Sequence, residues 1–175
     1  MIARIAILGL LMISLIAGGA LYYLQVYAFY DDVTAQVDDI KLVSVATGEP
    51  EEIVFADLTA IDSDSSPLRF RSCFTTSLSQ ALLTETYRVY DEAEPRVGPG
   101  WFDCFDAAQI GADLETGIAF GFLSQENITY GIDRVVAVYP DGRAYAWNQI
   151  NFCGEVVFDG NPVPPECPPA PESQQ

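Results

Sequence analysis

Carboxylates are the side chains of this sequence best able to do acid–base chemistry, because its 175 residues include 25 Asp and Glu but no histidine. Two close pairs are Asp103 with Asp106 and Asp113 with Glu115. Paired carboxylates can serve as general acid and general base, as they do in glycoside hydrolysis. Such pairs also arise by chance in so acidic a chain, and Asp103 or Asp106 would equally cap a helix that starts here. We therefore assign structural roles to these residues and predict no catalytic residue.

The absence of histidine also limits the possible nucleophiles and metal sites. No Ser–His or Cys–His nucleophile can form, and a Ser–Lys pair would require Lys41, the only lysine. The stretch "DSDSS" (62–66) begins like a calcium loop, but Pro67 stands where that loop needs glycine and Cys73 where it needs glutamate. We predict an acidic turn there, and neither a metal nor another cofactor.

A second set of residues could bind a ligand or a protein partner rather than react. Arg69 and Arg71 are positive groups in a negative domain and could bind an anion, although pairing with the abundant Asp and Glu is the simpler interpretation. Tyr145 and Trp147 share one face of a predicted strand. Such aromatic residues usually belong to a core, whereas an exposed pair would mark a partner surface. These four are the candidate contact residues.

The four cysteines predict structural disulfides. Their number is even, no Cys-x-x-Cys motif occurs, and all-cysteine zinc sites usually have closely spaced ligand pairs. Three pairings are possible, and we favour Cys73–Cys104 together with Cys153–Cys167. The second bridge would close a loop of about 15 residues, worth about 3 kcal/mol in the chain-entropy model, and would restrain a proline-rich tail. Disulfides imply an oxidising compartment.

Charge is distributed very unevenly along the chain. All 25 acidic residues lie at or beyond Asp31, where only 7 basic residues accompany them, so that part has a net charge of −18. Nucleic-acid binding depends on Lys and Arg neutralising phosphates, and this composition therefore argues against a nucleic-acid partner. By the same reasoning the domain should gain nothing from anionic lipid headgroups. A cationic partner is compatible with the charge, as is a purely solubilising role.

Residues 5–30 carry no charged side chain, and we predict a membrane anchor over residues 1–30. Twenty helical residues rise about 30 Å, enough to cross the hydrocarbon core. A cleaved signal peptide is the alternative, because "AGGA" (17–20) has the small residues that a signal peptidase requires. The apolar run nevertheless continues through an aromatic cluster typical of a membrane boundary, and we favour the uncleaved helix.

The positive-inside rule predicts the orientation of this helix. Arg4 precedes it and "DDVTAQVDD" (31–39) follows it, so the amino terminus would be cytoplasmic and the rest would face outward. In a bacterial inner membrane this orientation places a domain of residues 31–160 and a proline-rich tail, 161–175, in the periplasm.

The outward part has the pattern of an α+β domain, an antiparallel sheet with one or two short helices. Residues 40–62 predict two strands separated by "TGEPEE", and further strands are predicted in "LRFRSCFTT" (68–76) and "IAFGFLS" (118–124). Short helices are predicted within residues 77–90 and after Asp103 or Asp106. The clearest signal is a hairpin in "RVVAVYPDGRAYAWNQI" (134–150), whose turn is Pro140-Asp141-Gly142.

Three segments of the chain together resemble a known family. They are "WFDCFDA" (101–107), the stretch from "YGIDRVVAVYPDG" through "FCGEVVFDGNPVPPECP" (130–168), and the N-terminal anchor. They resemble small single-pass bacterial membrane proteins known only as a domain of unknown function, and the resemblance extends over nearly the whole chain. It implies the same architecture and no assigned activity. Such proteins are sometimes labelled histidine kinases, a label that does not fit a chain without histidine.

These observations predict a non-catalytic, membrane-anchored accessory or protein-interaction module whose partner is another envelope or membrane protein. A periplasmic small-ligand sensor is the alternative, with Arg69, Arg71 and the hairpin aromatic residues around a pocket. A hydrolase that uses only carboxylates is the third hypothesis, and it would need two carboxylates about 5–10 Å apart in one cleft.

Overall fold

The N-terminal segment forms one long apolar helix, α1 (Ile2–Val26), in a computed structural model that describes residues 2–171 of the chain. From Arg4 to Val26 the mean hydropathy is 2.3, and the side chains are not buried against the rest of the protein. At 1.5 Å per residue the helix is about 37 Å long, more than the thickness of a hydrocarbon core. The predicted anchor is therefore helical as far as Val26 and has the length and composition to cross a membrane.

The rest of the chain is built on an antiparallel sheet. Its strands, in chain order, are β1 (Asp31–Asp32), β2 (Lys41–Val43), β3 (Pro50–Glu52), β4 (Ala56–Asp62), β5 (Arg71–Thr75), β6 (Phe120–Thr129), β7 (Ile132–Val138) and β8 (Arg143–Ile150). Six strands pair in the order β1-β4-β5-β8-β7-β6, while β2 and β3 form a separate hairpin. The predicted hairpin is confirmed, because β7 and β8 pair without interruption from Ile132 opposite Ile150 to Val138 opposite Ala144.

The turn of this hairpin requires glycine at its last position. Gly142 has a φ of +87°, and a Cβ atom there would lie 2.5 Å from the carbonyl oxygen of Thr76. A side chain at residue 142 would therefore be strained by the backbone conformation and would also collide with the neighbouring loop.

Short helices flank the sheet between residues 31 and 171: a 3-10 turn η1 (Thr34–Gln36), α2 (Gln80–Thr86), α3 (Ala107–Glu115) and α4 (Phe152–Phe158). Each of the three α-helices starts at a polar side chain that accepts a hydrogen bond from the backbone N–H three residues later. These capping residues are Ser79, Asp106 and Asn151. Helices α2 and α3 were predicted, and Asp106 rather than Asp103 is the cap of α3.

Both faces of the sheet are covered, because alternate residues of the central strands point to opposite sides. One face packs against the β2–β3 hairpin and α2, with buried residues that include Leu42, Phe74, Leu83, Phe122 and Ala146. The other face packs against α3 and the loop before it, with buried residues that include Ile61, Phe105, Ile110, Val135 and Trp147. The whole is the predicted α+β arrangement: a long apolar helix followed by an antiparallel sheet with short helices.

Two disulfides connect peripheral segments to this core, and they follow the pairing favoured from the sequence. Cys73–Cys104 joins β5 to the loop before α3, with a Cα–Cα distance of 6.3 Å. Cys153–Cys167 joins α4 to the proline-rich tail, with a Cα–Cα distance of 5.7 Å.

Residues 40–62 differ from their prediction, because they form three strands rather than two. The segment Pro50–Glu52, interpreted as part of a turn, is β3, and the turn lies before it around Gly48, whose φ is +74°. All three residues of β3 are exposed, and an edge strand tolerates proline because no partner needs its missing N–H. The polar composition of this strand therefore hid it.

Helix α4 was not predicted, and the tail is only partly as expected. Residues 152–158 contain Gly154 and two valines, which weaken a helix, but the Asn151 cap and the Cys153–Cys167 bridge hold the segment in helical form. Residues 161–171 contain turns but neither helix nor strand, as predicted, yet Ala170 is buried. The last four residues of the predicted tail lie outside the described residues.

Candidate partner-binding groove

Both predicted arginine contacts lie against other parts of the protein. Arg71 is only 3% exposed, and it donates to the carbonyl oxygens of Leu68, Phe70, Arg96 and Val97 at 2.6–3.3 Å. Burial lowers the pKa of Arg71 to about 10, so the guanidinium remains charged at neutral pH. The hydrogen-bond acceptors of Arg71 are therefore carbonyl oxygens rather than Asp or Glu side chains, although the charge of Asp62 also acts on its guanidinium. The Arg69 guanidinium lies over the rings of Phe29 and Tyr30, 5.3 and 5.4 Å from their centroids.

The two predicted aromatic contacts belong to the core. Trp147 is fully buried, and its indole N–H donates to Gln149 Oε1 at 3.0 Å. Tyr145 is partly buried and packs edge-on against Phe105 and Tyr139, with centroids 6.0 and 5.6 Å apart. Because Arg71, Tyr145 and Trp147 all contact Phe105, they form one packed cluster rather than the wall of a pocket.

The members of each candidate carboxylate pair lie in different surroundings. Asp106 caps α3, while Asp113 is buried and accepts hydrogen bonds from Tyr139 Oη at 2.7 Å and Gln109 Nε2 at 2.9 Å. These hydrogen bonds, that of Tyr139 first, hold the pKa of Asp113 below its ordinary value. Asp103 and Glu115 are exposed.

A groove of about 360 Å³ opens where the ends of β6 and β7 meet α4, and sequence reasoning did not single it out. We call it the acidic groove. One wall is the extended segment Arg88–Glu92, which runs beside β6: Tyr90 N donates to Gly121 O, and Leu123 N donates to Arg88 O. The lining comprises Arg88–Glu92, Glu126, Asn127, Asp133, Asn151–Cys153, Glu166 and Pro168.

A buried polar network forms the floor of the acidic groove. Asp133 Oδ1 accepts from Asn127 N at 2.9 Å and from Asn151 Nδ2 at 2.7 Å, while Asp133 Oδ2 accepts from Tyr90 Oη at 3.2 Å. Asn127 has a φ of +48°, a conformation that asparagine tolerates, and its Oδ1 accepts from Gly131 N. The carboxylate thus joins the β6–β7 turn to the start of α4 and fixes the shape of the floor.

Negative charge dominates the rim and floor of the acidic groove. Five carboxylates line it, from Asp91, Glu92, Glu126, Asp133 and Glu166, against a single guanidinium. That guanidinium, of Arg88, lies 3.7 Å from Glu126 in an exposed pair, which screening by solvent makes weak. Burial, followed by the charge of Asp133, raises the pKa of Tyr90, so its hydroxyl stays protonated and remains a donor.

The acidic groove also has apolar contact area and rigid walls. Val89 and Phe152 line it and are exposed, Phe152 by 52%. The Cys153–Cys167 bridge and a hydrogen bond from Tyr130 Oη to Pro168 O at 3.0 Å hold the tail as one wall. Gly154 allows α4 to approach closely, because a Cβ there would lie 2.2 Å from Gly131 O.

The carboxylates of the acidic groove are spread along its rim rather than gathered at one point. Among residues 2–171, no three His, Cys, Asp or Glu side chains come together as metal ligands would. The buried Asp133 carboxylate already accepts three hydrogen bonds, from Asn127 N, Asn151 Nδ2 and Tyr90 Oη. What the acidic groove presents is a set of exposed carboxylates on its rim and two apolar side chains beside them.

Comparison with known proteins gives a family and nothing more specific. No curated protein and no solved structure matches the chain. The match that is found covers the part of the chain from just before β2 to the tail, and α1 lies outside it. The family model for DUF6446, a family of unknown function, matches residues 40–168, and the chain belongs to that family.

Proposed function

We propose that this protein is a membrane-anchored interaction module whose acidic groove binds a cationic segment of another envelope protein. In this proposal α1 holds the protein in a bacterial inner membrane with its amino terminus in the cytoplasm and its domain in the periplasm. The observation that carries the proposal is the acidic groove itself, in which four exposed carboxylates and two exposed apolar side chains surround a floor held by hydrogen bonds to the buried Asp133.

Charge and shape favour a peptide-like occupant. A cleft lined by one sign of charge attracts and orients the opposite sign, and the effect is strongest where low-dielectric walls focus the field. Lys or Arg side chains would meet the exposed carboxylates of Glu126 and Glu166, while apolar neighbours in the same segment would contact Val89 and Phe152. Hot spots of protein interfaces combine such apolar anchors with polar rims.

The location is supported by α1 and by the disulfides. A helix of this length and hydropathy fits a bilayer, and Arg4 before it agrees with a cytoplasmic amino terminus. Two disulfides with no free cysteine among the described residues agree with an oxidising compartment on the other side.

Site-specific photo-crosslinking in the native membrane tests this proposal. A photoreactive amino acid replaces Phe152, which lines the acidic groove, or Phe158, which is at the other end of α4 and 44% exposed against 52% for Phe152. We expect a discrete protein adduct from position 152 only. The adduct should be lost when Glu126 and Glu166 are both changed to Gln, because the positive segment then loses its carboxylate partners. Equal adducts from both positions, or an adduct that the Gln changes do not affect, would contradict the proposal.

Small-ligand sensing is the second candidate, because a cleft of about 360 Å³ is within the range of small-molecule sites. The charge of the acidic groove makes such a ligand a cation, in contrast to the anion expected at Arg69 and Arg71. A small organic diamine that raises the melting temperature of the full chain in micelles, combined with no adduct from position 152, would favour this candidate over the first.

A further inference from the structure

The domain contacts the end of α1 directly, through the loop that carries Trp101. The Trp101 indole N–H donates to Val26 O at 2.7 Å. The same ring stacks on Tyr27 and lies edge-on to Tyr30, each with a centroid distance of 6.1 Å. Tyrosine and tryptophan at the end of an apolar helix are typical of the headgroup layer of a membrane. The loop of residues 96–101, here called the exit loop, is therefore at the level where α1 would leave the bilayer.

The exit loop presents an apolar side chain that nothing in the domain covers. Val97 is 82% exposed, the highest value among the large hydrophobic side chains described. The loop is held in this position, because Arg71 donates to the carbonyl oxygens of both Arg96 and Val97. Cys104, just beyond the loop, is bridged to Cys73 of β5. The exit loop is therefore fixed to β5 of the sheet both by the Arg71 hydrogen bonds and by this disulfide.

Arginines accumulate at the same place, although the domain as a whole is strongly acidic. Arg69, Arg71 and Arg96 are three of the seven basic residues beyond residue 30. Arg69 Nη1 and Arg96 Nε are buried and have no hydrogen-bond acceptor among the described residues. The charge of Arg96 adds to the effect of burial in lowering the pKa of Arg71, so the two like charges are close enough to repel each other. Because Arg69 and Arg96 are only half-buried as residues, a phosphate group at their open side would supply acceptors to these guanidinium groups and reduce this repulsion.

We propose that the exit loop lies in the headgroup layer of the membrane that α1 crosses, with Arg69 and Arg96 donating to lipid phosphates and Val97 inserted among the acyl chains nearest the surface. The occupant is the lipid surface because the arginines and Val97 adjoin the end of α1, where lipid must be present. This contact holds the domain against the membrane instead of leaving it free to swing on the segment after Val26. It does not depend on what binds in the acidic groove.

Hydrogen exchange of the exit loop tests the proposal. Within the described residues, the backbone N–H groups of Val97, Gly98 and Gly100 donate no hydrogen bond, so they should exchange rapidly when only solvent surrounds them. The full chain is compared in phospholipid nanodiscs, in maltoside micelles, and in maltoside micelles with inorganic phosphate. We expect exchange at these amides to be about tenfold slower in nanodiscs than in either micelle sample. Equal exchange in all three samples, or slowing by inorganic phosphate alone, would overturn the proposal.

Two pairs of variants separate membrane contact from effects on folding. Val97→Asp should abolish the slowing in nanodiscs, because a carboxylate would be placed among phosphates. Val54→Asp, at another exposed valine (68%), should leave it unchanged. Arg96→Gln should reduce the slowing, and Arg143→Gln, at the exposed start of β8, should not. If Val97→Asp and Arg96→Gln both keep the full slowing, the exit loop does not contact lipid.

Discussion

The end of the domain next to α1 and the acidic groove have opposite chemical character, although both belong to one sheet. At the β1 side the chain gathers three arginines, an exposed valine and an aromatic stack around the end of a membrane-length helix. At the β6 side it gathers five carboxylates around a cleft. The net charge of −18 beyond residue 30 agrees with the acidic groove but does not describe the end of the domain next to α1. That net charge predicted that the domain gains nothing from anionic lipid headgroups, whereas the three arginines near the end of α1 favour a local contact with headgroup phosphates.

The largest difference between the two regions should appear when their disulfides are removed in turn. Changing both Cys73 and Cys104 to Ala frees a loop whose ends are 31 residues apart and should lower the free energy of unfolding by about 4 kcal/mol. Changing both Cys153 and Cys167 frees a loop whose ends are 14 residues apart and should cost about 3 kcal/mol. Urea unfolding of the full chain in micelles measures both values.

The location of each effect sharpens that comparison. Without Cys153–Cys167, faster hydrogen exchange should be confined to α4 and the tail, and the exit loop should behave as in the unchanged protein. Without Cys73–Cys104, the exit loop should lose its slow exchange in nanodiscs. Faster exchange of both regions in either variant would show that the two are one cooperative unit.

Replacing Arg71 should be the most damaging single change near α1. Arg71→Leu leaves four carbonyl oxygens without their donor and should lower the free energy of unfolding by about 3 kcal/mol. Arg143→Leu, at an exposed arginine whose contacts with Asp141, Tyr145 and the Tyr139 ring lie at the surface, should change it by no more than about 0.5 kcal/mol. Equal losses from both variants would mean that Arg71 does not hold the exit loop.

Asp133 offers the matching test at the acidic groove. Asp133→Ala leaves Asn127 N and Tyr90 Oη without an acceptor and leaves Asn151 Nδ2 with only its 3.2 Å hydrogen bond to Asn127 Oδ1, so it should cost about 2 kcal/mol. Asp133→Asn keeps an oxygen that can accept from Asn127 and Asn151, so we expect most of the stability to remain while one negative charge is removed. Thermal unfolding of the two variants separates the structural role of this residue from its charge.

The smallest effect concerns Asp113, which belongs to neither region and serves as a reference. Its pKa is held below the ordinary 3.8 by Tyr139 and Gln109, so its ionised form stabilises the fold at neutral pH. This contribution should disappear as the pH falls below 3.8 and through the lower pKa of the folded state. The difference in melting temperature between the unchanged protein and Asp113→Asn should therefore shrink between pH 7 and pH 2. A difference that stays constant would contradict this assignment.

Local patterns in the sequence predicted the parts of the fold that local chemistry controls. The Pro140-Asp141-Gly142 turn, the cap at Asp106 and the apolar run of α1 each depend on neighbours within a few residues, and each was found. Both favoured disulfides also form. Of the three possible pairings of the four cysteines, this is the one that closes the shortest loops. The β3 edge strand and α4 were missed because their own residues are poor strand and helix formers that depend on partners elsewhere.

The acidic groove was not predictable in the same way. Its floor joins Tyr90, Asn127, Asp133 and Asn151, which come together only when the β6–β7 turn meets α4. Two signals were present: Asn127, followed by a turn at Gly131, and Asn151 at a helix start. Neither signal indicates that both asparagines donate to the same carboxylate, that of Asp133. The hydrogen bonds of Arg71 were not predictable either, because its acceptors are main-chain oxygens, which have no signature in the sequence.

Binding of a cationic peptide to the full chain in nanodiscs tests the central claim most directly. An arginine-rich peptide of nine residues should bind the unchanged protein, more weakly as salt increases, since screening shortens the range of charge interactions. Changing Glu126 and Glu166 to Gln should weaken binding about tenfold, while the same change at the exposed pair Glu51 and Glu52 of β3 should leave it within about twofold. Equal weakening by both double variants would show attraction to overall negative charge alone, and would contradict the assignment of the acidic groove as the binding site.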